Sequence, residues 1–225
     1  MTVTPTDGST LAADSTLAAG STLAVGSALA AGIELERLAA FVRSYTVEVL
    51  SRGRSSAGSG VIWHADGLIV TTAHVVHDAR PQVALGNKEV VEARIVAIDK
   101  RFDLALLSVR GDGLHAAPIG DAESLRAGSL VLALGHPLGV HNALSLGVVH
   151  TVTTERGLPR YIAADVRLAP GNSGGPLVDT SGRVVGINAM IVGGLGVAIP
   201  STVVRRFLRQ VSASGAVNLS VPLAA

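Results

Sequence analysis

A serine in a glycine-rich turn has the clearest chemical potential of any residue in this chain. Ser173 lies within residues 171–176, which read Gly-Asn-Ser-Gly-Gly-Pro. Glycine allows a tight bend and a close approach of the backbone to a bound molecule. The turn can therefore aim the N–H groups of Gly171 and Ser173 at one point beside the Ser173 hydroxyl, as an oxyanion hole requires. Because a serine hydroxyl alone is a weak nucleophile, the motif demands a histidine and a carboxylate elsewhere.

Two upstream residues meet that demand. His74 ends an apolar run that begins at Ile69, and Asp103 directly precedes another apolar run at 104–107. A carboxylate at the head of a buried strand is costly unless it is paired or hydrogen-bonded, and an imidazole N–H is a suitable partner. The order along the chain is His, Asp, Ser, which is the order of chymotrypsin-type enzymes rather than that of subtilisin or the α/β-hydrolases.

Seven motifs, taken together and in this order, make the chain resemble a trypsin-like serine protease, specifically the protease domain of the HtrA/Deg group. They are GSGVI (58–62), TTAHVV (71–76), DLALL (103–107), GHPLG (135–139), PGNSGGPLV (170–178), VGIN (185–188) and VAIPS (197–201). The resemblance covers residues 45–210. It implies an all-β fold of two antiparallel six-stranded β-barrels, with an N-terminal and a C-terminal helix. The active site would lie in the cleft between the barrels.

The resemblance also implies an activity, a serine endopeptidase that hydrolyses peptide bonds through an acyl-enzyme. Ser173 would be the nucleophile, His74 the general base, and Asp103 the residue that orients His74, while the Gly171 and Ser173 N–H groups bind the oxyanion. A role in protein quality control and a polypeptide substrate follow from the same likeness. Two alternatives stay open: a catalytically silent peptide-binding or scaffold protein with the protease fold, and an esterase that uses the same triad.

The specificity pocket has two interpretations. Arg167, six residues before Ser173, stands where trypsin-like enzymes have the pocket floor, and a guanidinium there predicts cleavage after Glu or Asp. Because a buried guanidinium needs partners, Arg167 can instead pair with a neighbour such as Asp165, which leaves a pocket for small aliphatic side chains. The resemblance implies four further substrate-binding positions, which are Asn188 and Gly196 in the pocket and Ala189 and Ile191 along the substrate backbone.

Composition excludes several other classes of protein. The net charge is +1, and no basic patch interleaved with aromatic residues suggests nucleic-acid binding. With no cysteine, and with His74 and His77 lacking a third ligand, we expect no metal and no cofactor. No apolar run approaches the ~18 residues of a membrane span. The other histidines, including His136, are expected as surface or packing residues.

Four parts are expected along the chain: a hexad-repeat tail (1–32), an N-terminal helix and first barrel (33–116), a second barrel with the C-terminal helix (117–212), and a tail (213–225). The repeat favours a flexible arm, the alternative being a segment that docks over the cleft. Only about two dozen residues follow Pro200, so the PDZ domain of many HtrA proteins, which would need ~50 or more, is not expected.

Two expectations concern cellular context and the C-terminal helix. The absence of a basic and then apolar segment after Met1 favours the cytoplasm, whereas the resemblance allows an extracytoplasmic location. A homotrimer formed through the N-terminal segment is a further implication of the family. Ser201 is expected to cap the last helix, with Val204, Phe207 and Val211 along its apolar side.

Overall fold

The computed structural model describes residues 32–50, 58–86, 89–111, 113–136, 143–155 and 158–216. Residues 1–31, which hold almost all of the hexad repeat, and residues 217–225 lie outside this part, so the expectations for the two tails stay predictions. The helices and strands are α1 (32–43), β1 (Thr46–Leu50), β2 (Gly58–His64), β3 (Leu68–Thr72), β4 (Gln82–Ala84), β5 (Val90–Glu92), β6 (Arg94–Asp99), β7 (Leu104–Ser108), β8 (Leu130–Gly135), β9 (Ala143–Glu155), β10 (Leu158–Ala164), β11 (Pro176–Val178), β12 (Val184–Val192), β13 (Leu195–Pro200) and α2 (Ser201–Ala213).

The first sheet has the strand order β5-β4-β1-β2-β3-β7-β6, with antiparallel neighbours. Its two end strands, β5 and β6, are consecutive in the chain and are separated by Ala93 alone, whose N–H donates to the Pro81 carbonyl at 2.8 Å. Because a single residue connects the two edge strands, the sheet must curve until its edges lie close together. Strands β3 and β7 lie side by side and are almost entirely buried, as their continuous apolar sequences predict.

The second sheet is a closed barrel with the order β10-β13-β12-β11-β8-β9. Its interior is filled by aliphatic side chains from several strands, among them Val131, Val149, Ile162, Leu177 and Val185. The expected all-β architecture with terminal helices is therefore confirmed. The first sheet differs from the expected six-stranded barrel because it has seven strands, with β5 and β6 separated at Ala93.

One helix precedes the sheets along the chain and the other follows them. The unit that contains both sheets begins at Leu38, and the described residues before it, 32–37, form the first turns of α1 with an ion pair between Arg37 and Glu34 at 2.9 Å. At the end of α1, Tyr45 is fully buried and its hydroxyl donates to the Gly182 carbonyl, in the turn between β11 and β12. Among the described residues, neither α1 nor α2 has the length and apolar character of a membrane-spanning helix.

The C-terminal helix α2 has the predicted apolar side but begins differently from the prediction. Val204, Phe207 and Val211 are buried. Pro200, and not Ser201, occupies the N-cap position, so the capping expectation is wrong. The fully buried Ser201 hydroxyl instead donates to the Gly120 carbonyl at 2.9 Å, because that acceptor would otherwise be buried without a partner.

Removal of the Tyr45 hydroxyl should destabilise the fold. Tyr45→Phe leaves the Gly182 carbonyl without its donor, and we expect a loss of about 1–2 kcal/mol in the free energy of unfolding, measured by urea titration at pH 7. Burial, and secondarily the negative charge of Asp179, raise the pKa of Tyr45. The tyrosine of the unfolded state then loses its proton at a lower pH than that of the folded state, so the free energy of unfolding of the wild type should decline above about pH 10. The free energy of unfolding of Tyr45→Phe should decline less over that range.

Tyr161, the other tyrosine of the chain, provides the matched control. It is partly exposed, and the same change to Phe should leave both the free energy of unfolding and its decline at high pH at the wild-type values. Equal destabilisation by both substitutions would contradict a specific contribution from the Tyr45 hydroxyl.

Candidate active site

The register of two adjacent strands brings His74 to Asp103. The last aligned pair of β3 and β7 is Thr72 with Leu104. A 3-10 turn, Ala73–Val75, follows β3, and Asp103 immediately precedes β7, so the two side chains meet at one end of the sheet. The distance from His74 Nδ1 to Asp103 Oδ2 is 2.7 Å.

Asp103 holds the histidine turn through three atoms. Besides its contact with the ring, its Oδ1 accepts from the His74 backbone N–H at 3.0 Å, and its carbonyl accepts from the Ala73 N–H at 3.1 Å. Asp103 makes these three contacts with a left-handed backbone, with a φ of 54°, which aspartate tolerates better than most residues. The turn before it is fixed by Asp99, whose Oδ1 accepts from the backbone N–H of Arg101 at 2.8 Å.

The Asp103 contact also determines which imidazole nitrogen is available for chemistry. An ionised carboxylate only accepts hydrogen bonds, so the nitrogen facing it, Nδ1, must carry the proton. Nε2 of a neutral His74 is then the acceptor. The His74 side chain is 48% exposed, which leaves it accessible to a ligand. The arrangement gives His74 the tautomer that a general base for a hydroxyl group needs.

Ser173 lies in the turn between β10 and β11, and Asn188 of β12 holds that turn from the second sheet. The Gly174 N–H donates to the Asn188 carbonyl at 2.8 Å, and the Asn188 N–H donates to the Gly175 carbonyl at 2.8 Å. The Asn188 side chain is fully buried and donates through Nδ2 to the Pro176 carbonyl at 2.9 Å. Asn188 therefore supports the turn from behind, whereas the sequence predicted it in the substrate pocket.

Gly174 allows the first sheet to approach the nucleophile turn, which is the turn around Ser173, the predicted nucleophile. Its φ is +84°, and a Cβ at this position would lie 2.0 Å from the Ser59 carbonyl oxygen and 2.2 Å from Thr71 Oγ1. Any larger residue would be strained by its backbone and would also collide with β2 and β3. The glycine at this position is thus required by the contact between the two sheets.

Ser59 of β2 makes that contact. Its N–H donates to the Ser173 carbonyl at 2.8 Å, and its hydroxyl donates to the Gly171 carbonyl at 2.7 Å. The same hydroxyl accepts from the His136 N–H at 3.0 Å. The GSGVI motif is part of the family resemblance, but the sequence predicts no contact of Ser59 or His136 with the turn around Ser173. A serine between two glycines in a strand was the available signal, but it does not reveal a partner more than a hundred residues away.

The backbone around Gly171 is fixed on both sides of one peptide unit. Ser59 binds the Gly171 carbonyl, and the Asn172 N–H donates to the Ala169 carbonyl at 3.0 Å. Gly171 itself has a φ of +106°. Within the described residues, the Gly171 and Ser173 N–H groups have no protein acceptor. Two donors that flank a fixed peptide and lack acceptors are suited to bind an anionic oxygen.

The Ser173 hydroxyl donates to the Ala189 carbonyl at 3.1 Å. Ala189 is available because β12 has a bulge between Asn188 and Met190 against β13, so that Ala189 is left out of the ladder. In the described part of the chain, no hydrogen bond joins Ser173 to His74. The structure thus pairs His74 with Asp103 directly and gives the Ser173 hydroxyl a backbone acceptor.

A cavity of about 280 Å³ opens beside Ser173. Its walls are mostly apolar and include Leu168, Ala189, Met190 and Ile191. Ala189 and Ile191, which are predicted from the sequence to contact the substrate backbone, both belong to these walls.

Two other predicted pocket residues lie elsewhere. Arg167 is exposed and lines a second cavity of about 470 Å³, outside the lining of the first. The predicted pairing of Arg167 with Asp165 is not among the ion pairs of the described residues. Gly196 is buried behind Leu168, since a Cβ there would lie 3.0 Å from Leu168 Cδ1 and 2.5 Å from Val166 Cγ2.

Comparison with known proteins shows the relationships of the chain. Residues 58–187 match the family described as "Trypsin-like peptidase domain". A "Probable periplasmic serine endoprotease DegP-like" of Ectopseudomonas mendocina is 39% identical over 179 residues, which are 74% of this chain and 37% of that protein. "Serine protease HTR4" of Rattus norvegicus is 42% identical over 166 residues, which are 68% of this chain and 34% of that protein. The chain thus spans little more than a third of the length of these curated relatives.

A solved structure is similar as well. "HtrA-type protease AlgW with decapeptide" has a TM-score of 0.66 and 33% sequence identity, with 72% of this chain and 53% of that chain covered.

Loss of the Ser59 hydroxyl should disorganise the nucleophile turn. In Ser59→Ala the Gly171 carbonyl and the His136 N–H lose their shared partner. Since small displacements of reacting groups are costly, we expect the rate of Ser173 labelling by a fluorophosphonate probe to fall by about tenfold to a hundredfold.

Ser212→Ala, on the last turn of α2, is the matched control and should label at the wild-type rate. Circular dichroism of both variants checks that they remain folded. A folded Ser59→Ala protein that labels as fast as the wild type would show that this hydroxyl does not position the turn.

Proposed function

The chain belongs to the trypsin-like peptidase family and is HtrA/DegP-like, and on that premise we propose that it is a serine endopeptidase with Ser173, His74 and Asp103 as its catalytic triad. The family match and the serine proteases among the relatives support the expected enzyme class, a serine-type endopeptidase. The observation that carries the triad proposal is the His74–Asp103 contact at 2.7 Å, which prepares Nε2 as a base. Ser173 supplies the nucleophile from the turn that the first sheet holds through Ser59.

The proposed reaction begins when the Ser173 hydroxyl moves from the Ala189 carbonyl to His74 Nε2. Ser173 Oγ then forms a bond to the substrate carbonyl carbon while His74 takes the hydroxyl proton. Collapse of the tetrahedral intermediate breaks the C–N bond, and His74 gives its proton to the departing amine. Water, activated by the same histidine, hydrolyses the acyl-enzyme. Asp103 stabilises the imidazolium in both halves.

The Gly171 and Ser173 N–H groups would stabilise the negative charge on the substrate oxygen. Their lack of acceptors among the described residues supports this role. Loss of one such donor typically costs ~100- to 1000-fold in turnover. Because both belong to the backbone, their orientation depends on the hydrogen bond of Ser59 to Gly171.

The substrate would be an extended polypeptide that adds a strand to β12. Strand β11 begins opposite Ile187, so the edge of β12 from Ala189 to Ile191 has no strand partner on that side among the described residues. A substrate N–H that binds the Ala189 carbonyl would displace the Ser173 hydroxyl and so free it for His74. A relative was solved with a decapeptide, which is consistent with such a substrate.

The cavity beside Ser173 supports a preference for uncharged aliphatic side chains at the residue that is cleaved. Leu168, Met190 and Ile191 offer no partner to a carboxylate, and burial of an unpaired charge is costly. Arg167 does not line this cavity, so cleavage after Glu or Asp loses its physical basis.

The cellular setting is also a proposal. The word "periplasmic" in the names of several relatives favours an extracytoplasmic location and gives the cytoplasmic expectation no support. A role in protein quality control and a homotrimer formed through the N-terminal segment rest on family likeness alone. Cell fractionation and size-exclusion chromatography with light scattering would test location and assembly.

One observation favours a second candidate, a binding protein with a silent site. The Ser173 hydroxyl bonds to the Ala189 carbonyl instead of His74. A protein that kept this arrangement with a peptide bound would hold its ligand without cleaving it.

Substitutions in the triad distinguish the two candidates. Ser173→Ala and His74→Ala should each lower kcat for a peptide substrate by about a millionfold, and the double variant should be no worse, because the two residues act as one unit. The rates are measured from the increase in fluorescence as an internally quenched peptide is cleaved. A small ester is assayed in parallel, and hydrolysis of the ester without cleavage of the peptide would indicate an esterase. Near-normal peptide cleavage by His74→Ala would disprove the triad, and an inactive wild type that binds peptide would favour the silent protein.

A peptide library varied at the cleaved residue tests the pocket. Peptides with Val or Ala at that residue should have a kcat/KM about tenfold or more above that of Glu, because the apolar cavity cannot solvate a carboxylate. Gln at the same position controls for size. A preference for Glu over Val would restore the acidic interpretation.

A further inference from the structure

A second cavity adjoins the one beside Ser173. It has a volume of about 470 Å³, compared with about 280 Å³ for the first. The two share four lining residues, which are Leu168, Ala169, Asn172 and Ile191. A peptide whose side chain fills the first cavity therefore passes within reach of the second.

Arg167 gives the second cavity its charge. It is the single charged residue among the lining residues of this cavity in the described part of the chain. Its backbone N–H donates to Ser145 Oγ at 2.7 Å, which fixes the base of the side chain against β9. The guanidinium has no ion-pair partner among the described residues.

Apart from Asn172, the other walls are apolar or small, and include Leu144, Val166 and Gly194. Such walls accept the methylene groups of a side chain, while the planar fork of a guanidinium matches a carboxylate at its end.

We propose that this cavity is a subsite for an acidic side chain of the substrate, bound by Arg167. The proposal rests on the proposed function, since it needs a peptide along β12. In an extended chain, residues two apart face the same side and lie about 6.6 Å from each other. The two cavities adjoin at Ile191, which lies in the walls of both. The second cavity therefore takes the next side chain on the same face of the peptide, which is two positions from the residue that fills the cavity beside Ser173. The subsite selects substrates by a charge two positions from the cleaved residue, whereas the first cavity selects an aliphatic side chain at the cleaved residue.

Peptide binding to the full chain carrying Ser173→Ala tests the subsite without cleavage. The probes are fluorescein-labelled Ala- and Ser-based peptides with one Val, and with either Glu or Gln two positions before or after it. Fluorescence anisotropy gives the Kd of each. At one of the two positions we expect Glu to bind about three- to fivefold more tightly than Gln, as for an exposed ion pair. The ratio should approach one in about 1 M salt, because screening then acts within ~3 Å.

Charge variants assign the effect to the residue. On the same background, Arg167→Gln should reduce the Glu-to-Gln ratio to about one, and Arg167→Glu should invert it. Arg209→Gln removes an exposed arginine on α2 and is the matched control, which should keep the wild-type ratio. A ratio of one in the parent protein, a ratio that survives Arg167→Gln, or no binding of either peptide would each overturn the subsite.

Cleavage assays with the unmodified catalytic serine separate this proposal from the proposed function. Cleavage of the Gln peptide with no preference for Glu would remove the subsite and leave the endopeptidase. Binding with a preference for Glu, but without cleavage of either peptide, would keep the subsite and remove the endopeptidase.

Discussion

The hydrogen bonds of Ser59 join the two sheets at the nucleophile turn, and the position of the site depends on them. His74 and Asp103 lie at the ends of strands of the first sheet, whereas Ser173 lies in a turn between two strands of the second. Ser59 is fully buried, so an unmade bond at its hydroxyl or at the Gly171 carbonyl would cost about 1–3 kcal/mol. The contact is close enough that only glycine fits at position 174. One small polar residue therefore holds the first sheet against the turn around Ser173 and fixes the peptide between Gly171 and Asn172.

The site combines fixed and exchangeable hydrogen bonds. Asp103 holds the ring and backbone of His74 with separate oxygens, and Asn188 holds the Ser173 turn from behind. The bond from the Ser173 hydroxyl to the Ala189 carbonyl is of another kind, since it joins a rotatable hydroxyl to a sheet edge that has no strand partner among the described residues. Exchange of one neutral hydrogen bond for another changes the free energy by only about 1 kcal/mol. A substrate strand on that edge can therefore decide where the hydroxyl points.

Sequence reasoning succeeded where the information is local. An apolar run that ends in His74 and another that begins after Asp103 were sufficient to predict the pair, because adjacent antiparallel strands bring such ends together. It failed where one residue of register matters. The bulge at Ala189 turns Asn188 into the core and Ala189 toward Ser173, and nothing in the sequence shows where a bulge falls. Arg167 was assigned by its distance from Ser173 along the chain, whereas Leu168 is the one of these two residues that lines the cavity beside Ser173.

The most direct test of this account is a crystal structure of the protein after reaction with a fluorophosphonate. We predict that the phosphorus is bonded to Ser173 Oγ, and that one phosphonyl oxygen lies ~2.7–3.1 Å from both the Gly171 and the Ser173 N–H. The bond from Ser59 to the Gly171 carbonyl should persist, and Ala189 should have lost its hydroxyl donor. A phosphonyl oxygen that points away from both N–H groups, or a Gly171 carbonyl turned away from Ser59, would contradict it.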